Sequence, residues 1–157
     1  MARARPVVGL DPRAPFADAA VRVLDVRAAE LFAHAEHVLD VSDIERVHAM
    51  RVATRRLRAV LEVFASCFPK ARHRRVLAEV KALADALGAR RDPDVQISAL
   101  QDVIAHAAPT DAEAVAGLVA GLRAEQDAGN VRLSRALERM REQGLREQLT
   151  ALGEHVR

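Results

Sequence analysis

The chain has 157 residues, a formal net charge of +2, four Phe residues and neither Trp nor Tyr. Its length suits one domain with a sizeable core, and the shortage of aromatic side chains argues against a surface that stacks nucleic-acid bases. Cys67 is the single cysteine, which excludes a disulfide within the chain and a C-x-x-C metal site. We expect Cys67 to be a small buried hydrophobic residue.

The composition, with much Ala, Leu, Arg and Glu and little Gly, predicts an all-α protein. We expect a single domain over residues 1–157, folded as an antiparallel bundle of five to six helices joined by short loops, with residues 1–14 flexible. The first helix is predicted over residues 15–39. Its apolar stripe is formed by Val21, Leu24, Ala28, Leu31 and Ala35.

The second helix is predicted from a capping box, Ser42–Glu45, to about Phe68. At about 100° per residue, one side of it carries what we call the cation row: His48, Arg51, Arg55 and Arg58. The opposite, apolar side consists of Met50, Ala53, Leu57, Val60, Leu61 and Phe64. Arg56 lies apart and flanks the apolar side. Like charges one turn apart repel by about a few tenths of a kcal/mol per pair, so this helix is expected to have an anionic partner.

The remaining helices are predicted from local start and stop signals. The third helix should run over residues 70–87 and end at Gly88 as its C′ residue. The fourth should begin with Asp92 as N-cap and a proline at its first position. A second capping box, Thr110–Glu113, should open a long helix interrupted by glycines, and a short helix should follow over residues 145–155.

Charge is strongly segregated along the chain. Residues 46–91 hold twelve Arg or Lys against three acidic residues, a net charge of +9, while the rest of the chain carries −7. This segregation creates a local positive potential that attracts polyanions. Of the 24 cations, 22 are Arg, which binds phosphate in a bidentate way that Lys does not.

Two sequence blocks resemble a known family. The run Val47–Arg58, which reads VHAMRVATRRLR, is similar to the signature of the CHAD family, the conserved-histidine α-helical domain. The run Leu87–Val95, which reads LGARRDPDV, is similar to the family's junction between its third and fourth helices. The resemblance covers about residues 15–150. It implies an all-helical bundle that binds inorganic polyphosphate through a basic surface, with no need for catalysis. From the residues themselves we expect no catalytic residues, no cofactor and no metal site.

The resemblance also implies which residues bind. Those that match the family's basic positions are His48, Arg51, Arg55, Arg56, Arg58, Lys81 and Arg91. Two further candidates, Arg74 and Arg75, come from the residues themselves, because cations near a helix start oppose its dipole and so favour an anionic ligand there. His48 would add a hydrogen bond when neutral and a charge when protonated.

The chain departs from the family pattern in its second part. Typical members have two related halves, each with a basic helix, facing one another across a charged cleft. Here the basic helices lie in residues 43–91, and residues 110–157 form a divergent part with mixed charges and no second His-x-x-Arg helix. The resulting hypothesis is a homodimer in which each chain supplies one basic face.

Several other interpretations stay open at this point. One alternative is that the cation row is a solvated face, or that it is paired with acidic neighbours such as Glu30, Glu36 or Asp40. A phosphohydrolase or phosphotransferase using His48 is an alternative, although no P-loop and no carboxylate cluster for Mg²⁺ is recognisable. A general nucleic-acid or polyanion binder is another alternative, which the shortage of aromatic side chains for base stacking disfavours. With no signal peptide and no apolar stretch of about 18 residues, we expect a cytoplasmic protein, associated with polyphosphate granules and not with membranes.

Overall fold

The computed structural model describes residues 3–156. In this part of the chain there are five α-helices, one short 3-10 turn at Ala65–Cys67 and no strand, which confirms the all-α class. The helices are α1 (Phe16–His34), α2 (Ile44–Val63), α3 (Lys70–Ile104), α4 (Pro109–Glu142) and α5 (Leu145–Glu154). None of these described helices combines the length and the apolar character that crossing a bilayer requires.

The connection between α1 and α2 begins earlier than predicted. The first helix ends at His34 rather than at Leu39, and His37 has a left-handed backbone with φ of 56°, which a right-handed helix cannot contain. The predicted capping box at Ser42 is wrong as well. The N-cap is Asp43, whose carboxylate accepts from the Glu45 N–H at 3.2 Å. The Ser42 hydroxyl instead donates to Asp40 at 2.6 Å.

The predicted break between a third and a fourth helix is wrong. Instead, α3 is a single helix of 35 residues, about 52 Å long at 1.5 Å per residue. Gly88 is not its C′ residue and Asp92 is not an N-cap. Pro93 lies inside the helix and cannot donate to the carbonyl of Ala89, four residues back. The helix nevertheless continues, because α4 packs along it on both sides of the proline: Gly129 approaches Arg90 before it, and Val119 lines the same cavity as Ile104 after it.

The fourth helix, 34 residues long, begins at Pro109 without a side-chain cap, so the predicted capping box at Thr110 is also wrong. A proline at the first helical position needs no capping partner for its missing N–H. The helix passes through three glycines and stops before Gly144, whose φ of 65° turns the chain into α5. The short final helix is confirmed, ending at Glu154, one residue before the predicted position.

The hydrophobic core lies between α1, α2, α5 and adjacent parts of the two long helices. The predicted apolar side of α2 is buried, apart from Phe64, which is half-buried. Cys67 is likewise half-buried and free. Representative core residues with no more than 2% exposure are Leu24, Leu31, Met50, Leu57, Leu87, Leu133, Leu149 and Leu152. The cation row therefore stands on a helix whose reverse side is fixed by the core.

The two long helices continue past this core as an arm. Core members from α3 extend no further than Leu87, and those from α4 begin at Leu133. We call residues 92–128 the distal hairpin. Its buried hydrophobic residues are Ile97 and Val119, at 9% and 6% exposure. The hairpin is thus a helix pair with far less buried apolar surface than the bundle from which it extends.

The segment before α1 has no helix in its described part, residues 3–15. It is nevertheless tied to the bundle. The backbone N–H of Arg5 donates to the buried carboxylate of Glu30, and the side chain of Arg27 donates to the carbonyl of Arg5 at 3.1 Å. Residues 1–14 were expected to be flexible, and of these, residues 1–2 lie outside the described part of the chain.

Candidate functional site: a cationic surface on two helices

The cation row occupies the solvent side of α2. Arg51 and Arg55 are exposed, whereas His48 and Arg58 are half-buried. Within residues 3–156, no hydrogen bond or ion pair engages the side chains of His48, Arg51 or Arg55. A guanidinium group without an internal partner keeps its five donors for a ligand or for water. The centre of the row is therefore available to an anion.

The row is linked to α3 at its C-terminal end. Arg58 Nε donates to Glu62 Oε1 at 2.9 Å, and Lys81 Nζ of α3 lies 3.8 Å from the same oxygen. The hydrogen bond from Arg58 is the main cause that holds the pKa of Glu62 below its usual range. One carboxylate oxygen thus brings the predicted residues Arg58 and Lys81 together across the groove between the two helices.

The beginning of α3 adds further cations. Arg74 and Arg75 are exposed and, in the described part of the chain, their side chains have no hydrogen bond or ion pair. Nearby, His73 Nε2 hydrogen-bonds to the carbonyl oxygen of Leu61 at 2.7 Å and thereby joins this end of α3 to the end of α2. The two arginines are thus placed next to the C-terminal end of the helix that carries the row.

Arg56 lies in a different environment from the row. Its guanidinium is 4.0 Å from Glu30 Oε1, and Glu30 itself is buried with 1% exposure. Burial alone would raise the pKa of Glu30, but the hydrogen bonds from Arg5 and Arg27 and the charges of Arg27 and Arg56 lower it. Arg56 therefore contributes to an internal ion cluster, and this location separates it from the exposed arginines.

Arg91 also has internal carboxylate neighbours. Its guanidinium lies 3.6 Å from Asp94 Oδ2 and 3.9 Å from Glu45 Oε1, and its side chain is only 16% exposed. The pair with Glu45 connects the middle of α3 to the first turn of α2. Because its side chain is mostly buried and lies beside the buried carboxylate of Asp94, Arg91 has less capacity for a ligand than the exposed Arg51 or Arg55.

A buried polar network lies beside Arg91, and its members are not among the predicted binding residues. Arg90 is fully buried and donates to Asp94 at 2.5 Å and to Asn130 at 3.0 Å. Gln126 donates to the same Asp94 at 2.6 Å, and Asn130 donates to the carbonyl of Leu39 at 2.9 Å. The i, i+4 spacing of Arg90 and Asp94 signals this pair once α3 is known to be continuous. The network fixes α3, α4 and the α1–α2 connection relative to one another.

The surrounding charge confines the positive surface to the bundle. From Asp92 to Leu122 the chain has five carboxylates and no Lys or Arg, so the distal hairpin is acidic where the bundle is basic. Among the described residues there is no group of three or more His, Cys, Asp or Glu that could hold a metal ion. A cavity of about 380 Å³ lies away from the row, with Phe32, Met140 and Arg146 in its lining.

These features define a class of protein: an all-helical bundle that displays a solvent-facing row of cations on one helix and extends it to the next. The chain belongs to the CHAD family, because the CHAD domain matches residues 22–155, nearly its whole length. No curated protein matches it.

Proposed function

We propose that this protein is a binding module for inorganic polyphosphate and not an enzyme. The observation that carries the proposal is the pair Arg51 and Arg55, exposed one helical turn apart and without an internal partner in the described structure. The CHAD domain is known as a polyphosphate-binding module, and the local charge of residues 46–91 favours a polyanion.

Binding would rest on many weak contacts along a flexible polymer. Each guanidinium can bond two phosphate oxygens, and successive phosphates of one chain engage successive arginines at a high effective concentration. Arg58 and Lys81 extend the contact across the groove, while Arg74 and Arg75 extend it at the start of α3. Arg56 and Arg91 pair mainly with carboxylates of the protein, so they stabilise the surface and contribute less to ligand binding. Displaced counterions make the affinity fall with salt, as for nucleic acids.

The test is a titration with long-chain polyphosphate and with double-stranded DNA, matched in phosphate concentration, at about 150 mM salt. The proposal expects tighter binding of polyphosphate, lost in Arg51→Ala/Arg55→Ala. Arg135→Ala/Arg139→Ala is the matched control, because it removes two exposed arginines one turn apart on α4. Equal binding of both polymers would indicate a general polyanion surface. Release of phosphate that depends on His48 would instead indicate the enzyme alternative.

We further propose that two chains pair, so that each contributes one basic face. Support comes from the arrangement of charge: the chain has a single helix with a His-x-x-Arg row, and the cations of its later part are mixed with acidic residues. Light scattering with and without polyphosphate tests this. A strictly monomeric protein that binds polyphosphate tightly would reject pairing. Recruitment to polyphosphate granules is the expected cellular consequence of binding and is tested by imaging the Arg51→Ala/Arg55→Ala variant.

A further inference from the structure

One carboxylate stands in line with the cation row. Glu62 follows Arg51 by eleven residues and Arg55 by seven, so its position on α2 lies within about 20° of theirs around the helix axis. Its Oε1 contacts Arg58 at 2.9 Å and Lys81 at 3.8 Å. The row thus ends in an anion that occupies two of the cations proposed to bind phosphate.

Helix stability does not account for this placement. Glu62 lies in the last turn of α2, which ends at Val63, and a negative charge is unfavourable at that end of the helix dipole. The side chains of Arg58, Glu62 and Lys81 are each more than 40% exposed, and ion pairs with this exposure contribute little to folding because solvent screens them. The carboxylate therefore acts on the surface potential more than on the fold.

We infer that Glu62 competes with the ligand for Arg58 and Lys81 and thereby sets the affinity of this surface for polyphosphate. This inference rests on the proposed function. The carboxylate occupies Arg58 and Lys81 in the free protein, and a phosphate must replace it to use either cation. A long polymer already held at Arg51 and Arg55 can do so, because its next phosphates are present at high local concentration. A short anion lacks this advantage, so Glu62 favours polymers over small phosphates.

The experiment compares Glu62→Gln with the wild type for long-chain polyphosphate and for tripolyphosphate over a range of salt concentrations. We expect Glu62→Gln to bind both about two- to five-fold more tightly, a gain typical of freeing exposed charge pairs. Because Glu62→Gln removes one negative charge that offsets the cations contacting phosphate, the slope of log affinity against log salt should become steeper by about one. The relative gain should be greater for tripolyphosphate.

Two controls separate this effect from a change in net charge. Glu113→Gln removes the same charge from the exposed start of α4 in the distal hairpin and should leave the salt slope unchanged. In an Arg58→Ala/Lys81→Ala background, Glu62→Gln should have no effect, since the cations it would release are gone. Unchanged or weaker binding by Glu62→Gln in the otherwise wild-type chain overturns the inference while the proposed function stands. If neither protein binds polyphosphate even at about 20 mM salt, both proposals fail.

Discussion

Gly129 lies at a close approach of α4 to α3. A β-carbon at this position would lie 3.0 Å from Arg90 Cα and 3.1 Å from the carbonyl oxygen of Ala89, well inside the ~3.5–4.0 Å of ordinary contact between carbon atoms. Both atoms belong to the α3 backbone and cannot rotate away. The Ala89 carbonyl is also the one that Pro93 leaves without its helical N–H donor. Gly129→Ala therefore requires a shift of one helix against the other.

The expected magnitude follows from two opposing effects. Overpacking of a tight contact lowers the free energy of unfolding by about 1–3 kcal/mol. Replacing glycine by alanine inside a helix raises it by about 0.5–1 kcal/mol. We expect Gly129→Ala to lower the free energy of unfolding by about 1–2 kcal/mol, or roughly 2–8 °C in Tm for a chain of this size. Urea denaturation followed by circular dichroism, with a thermal melt, measures both quantities.

The same helix provides the control. A β-carbon at Gly117 or at Gly121 would meet nothing within 4 Å, so only the helix-propensity gain applies there. Gly121→Ala should raise the free energy of unfolding by about 0.5–1 kcal/mol. If Gly129→Ala were as stable as Gly121→Ala, the close contact between α3 and α4 described above would be refuted.

Three further predictions concern charged groups. Asp94→Ala should cost about 3–5 kcal/mol of unfolding free energy, because it leaves the fully buried Arg90 without its carboxylate; a loss below about 1 kcal/mol in urea denaturation would contradict this. The pKa of Glu30 is lowered in the folded state, so its contribution to stability is present at neutral pH and is lost as pH falls through that lowered pKa. Glu30→Gln should therefore be less stable than the wild type at pH 7. Between about pH 5 and pH 3 its urea midpoint should fall less than that of the wild type; an equal fall in both proteins would exclude this role for Glu30. His48→Ala should weaken polyphosphate binding, because it removes a ring nitrogen that can donate a hydrogen bond to phosphate; an unchanged affinity in the titration would remove His48 from the site.

The helical class and the faces of α2 could be predicted because both depend on local periodicity. Met50, Leu57 and Leu61 are buried, and Arg51 and Arg55 are exposed, as the spacing indicated. The helix boundaries were less predictable, since the cues at Gly88 and Pro93 are local and the packing of α4 against α3 overrides them. Capping boxes at Ser42 and Thr110 failed for a similar reason: other residues nearby supply the ends of the helices.

Contacts between side chains on different helices could not be predicted from the sequence pattern. Nothing in the spacing of Glu62 and Lys81, nineteen residues apart, reveals that one carboxylate oxygen contacts cations on both α2 and α3. The internal neighbours of Arg56 and Arg91 are equally dependent on tertiary structure. The motif therefore predicts these arginines as one group. In the structure some of them are exposed without a partner, and others lie beside carboxylates of the protein.

The length of α3 means that one continuous helix belongs to two regions of unequal local stability. Its first half is held by the core through residues such as Val80 and Leu87, whereas its last turns in the distal hairpin bury little besides Ile97. Backbone amides near the tip should exchange with solvent through local opening, while those between Val80 and Leu87 require global unfolding. The tip can therefore fray, or accept an insertion between α3 and α4, without disturbing the arginines of α2.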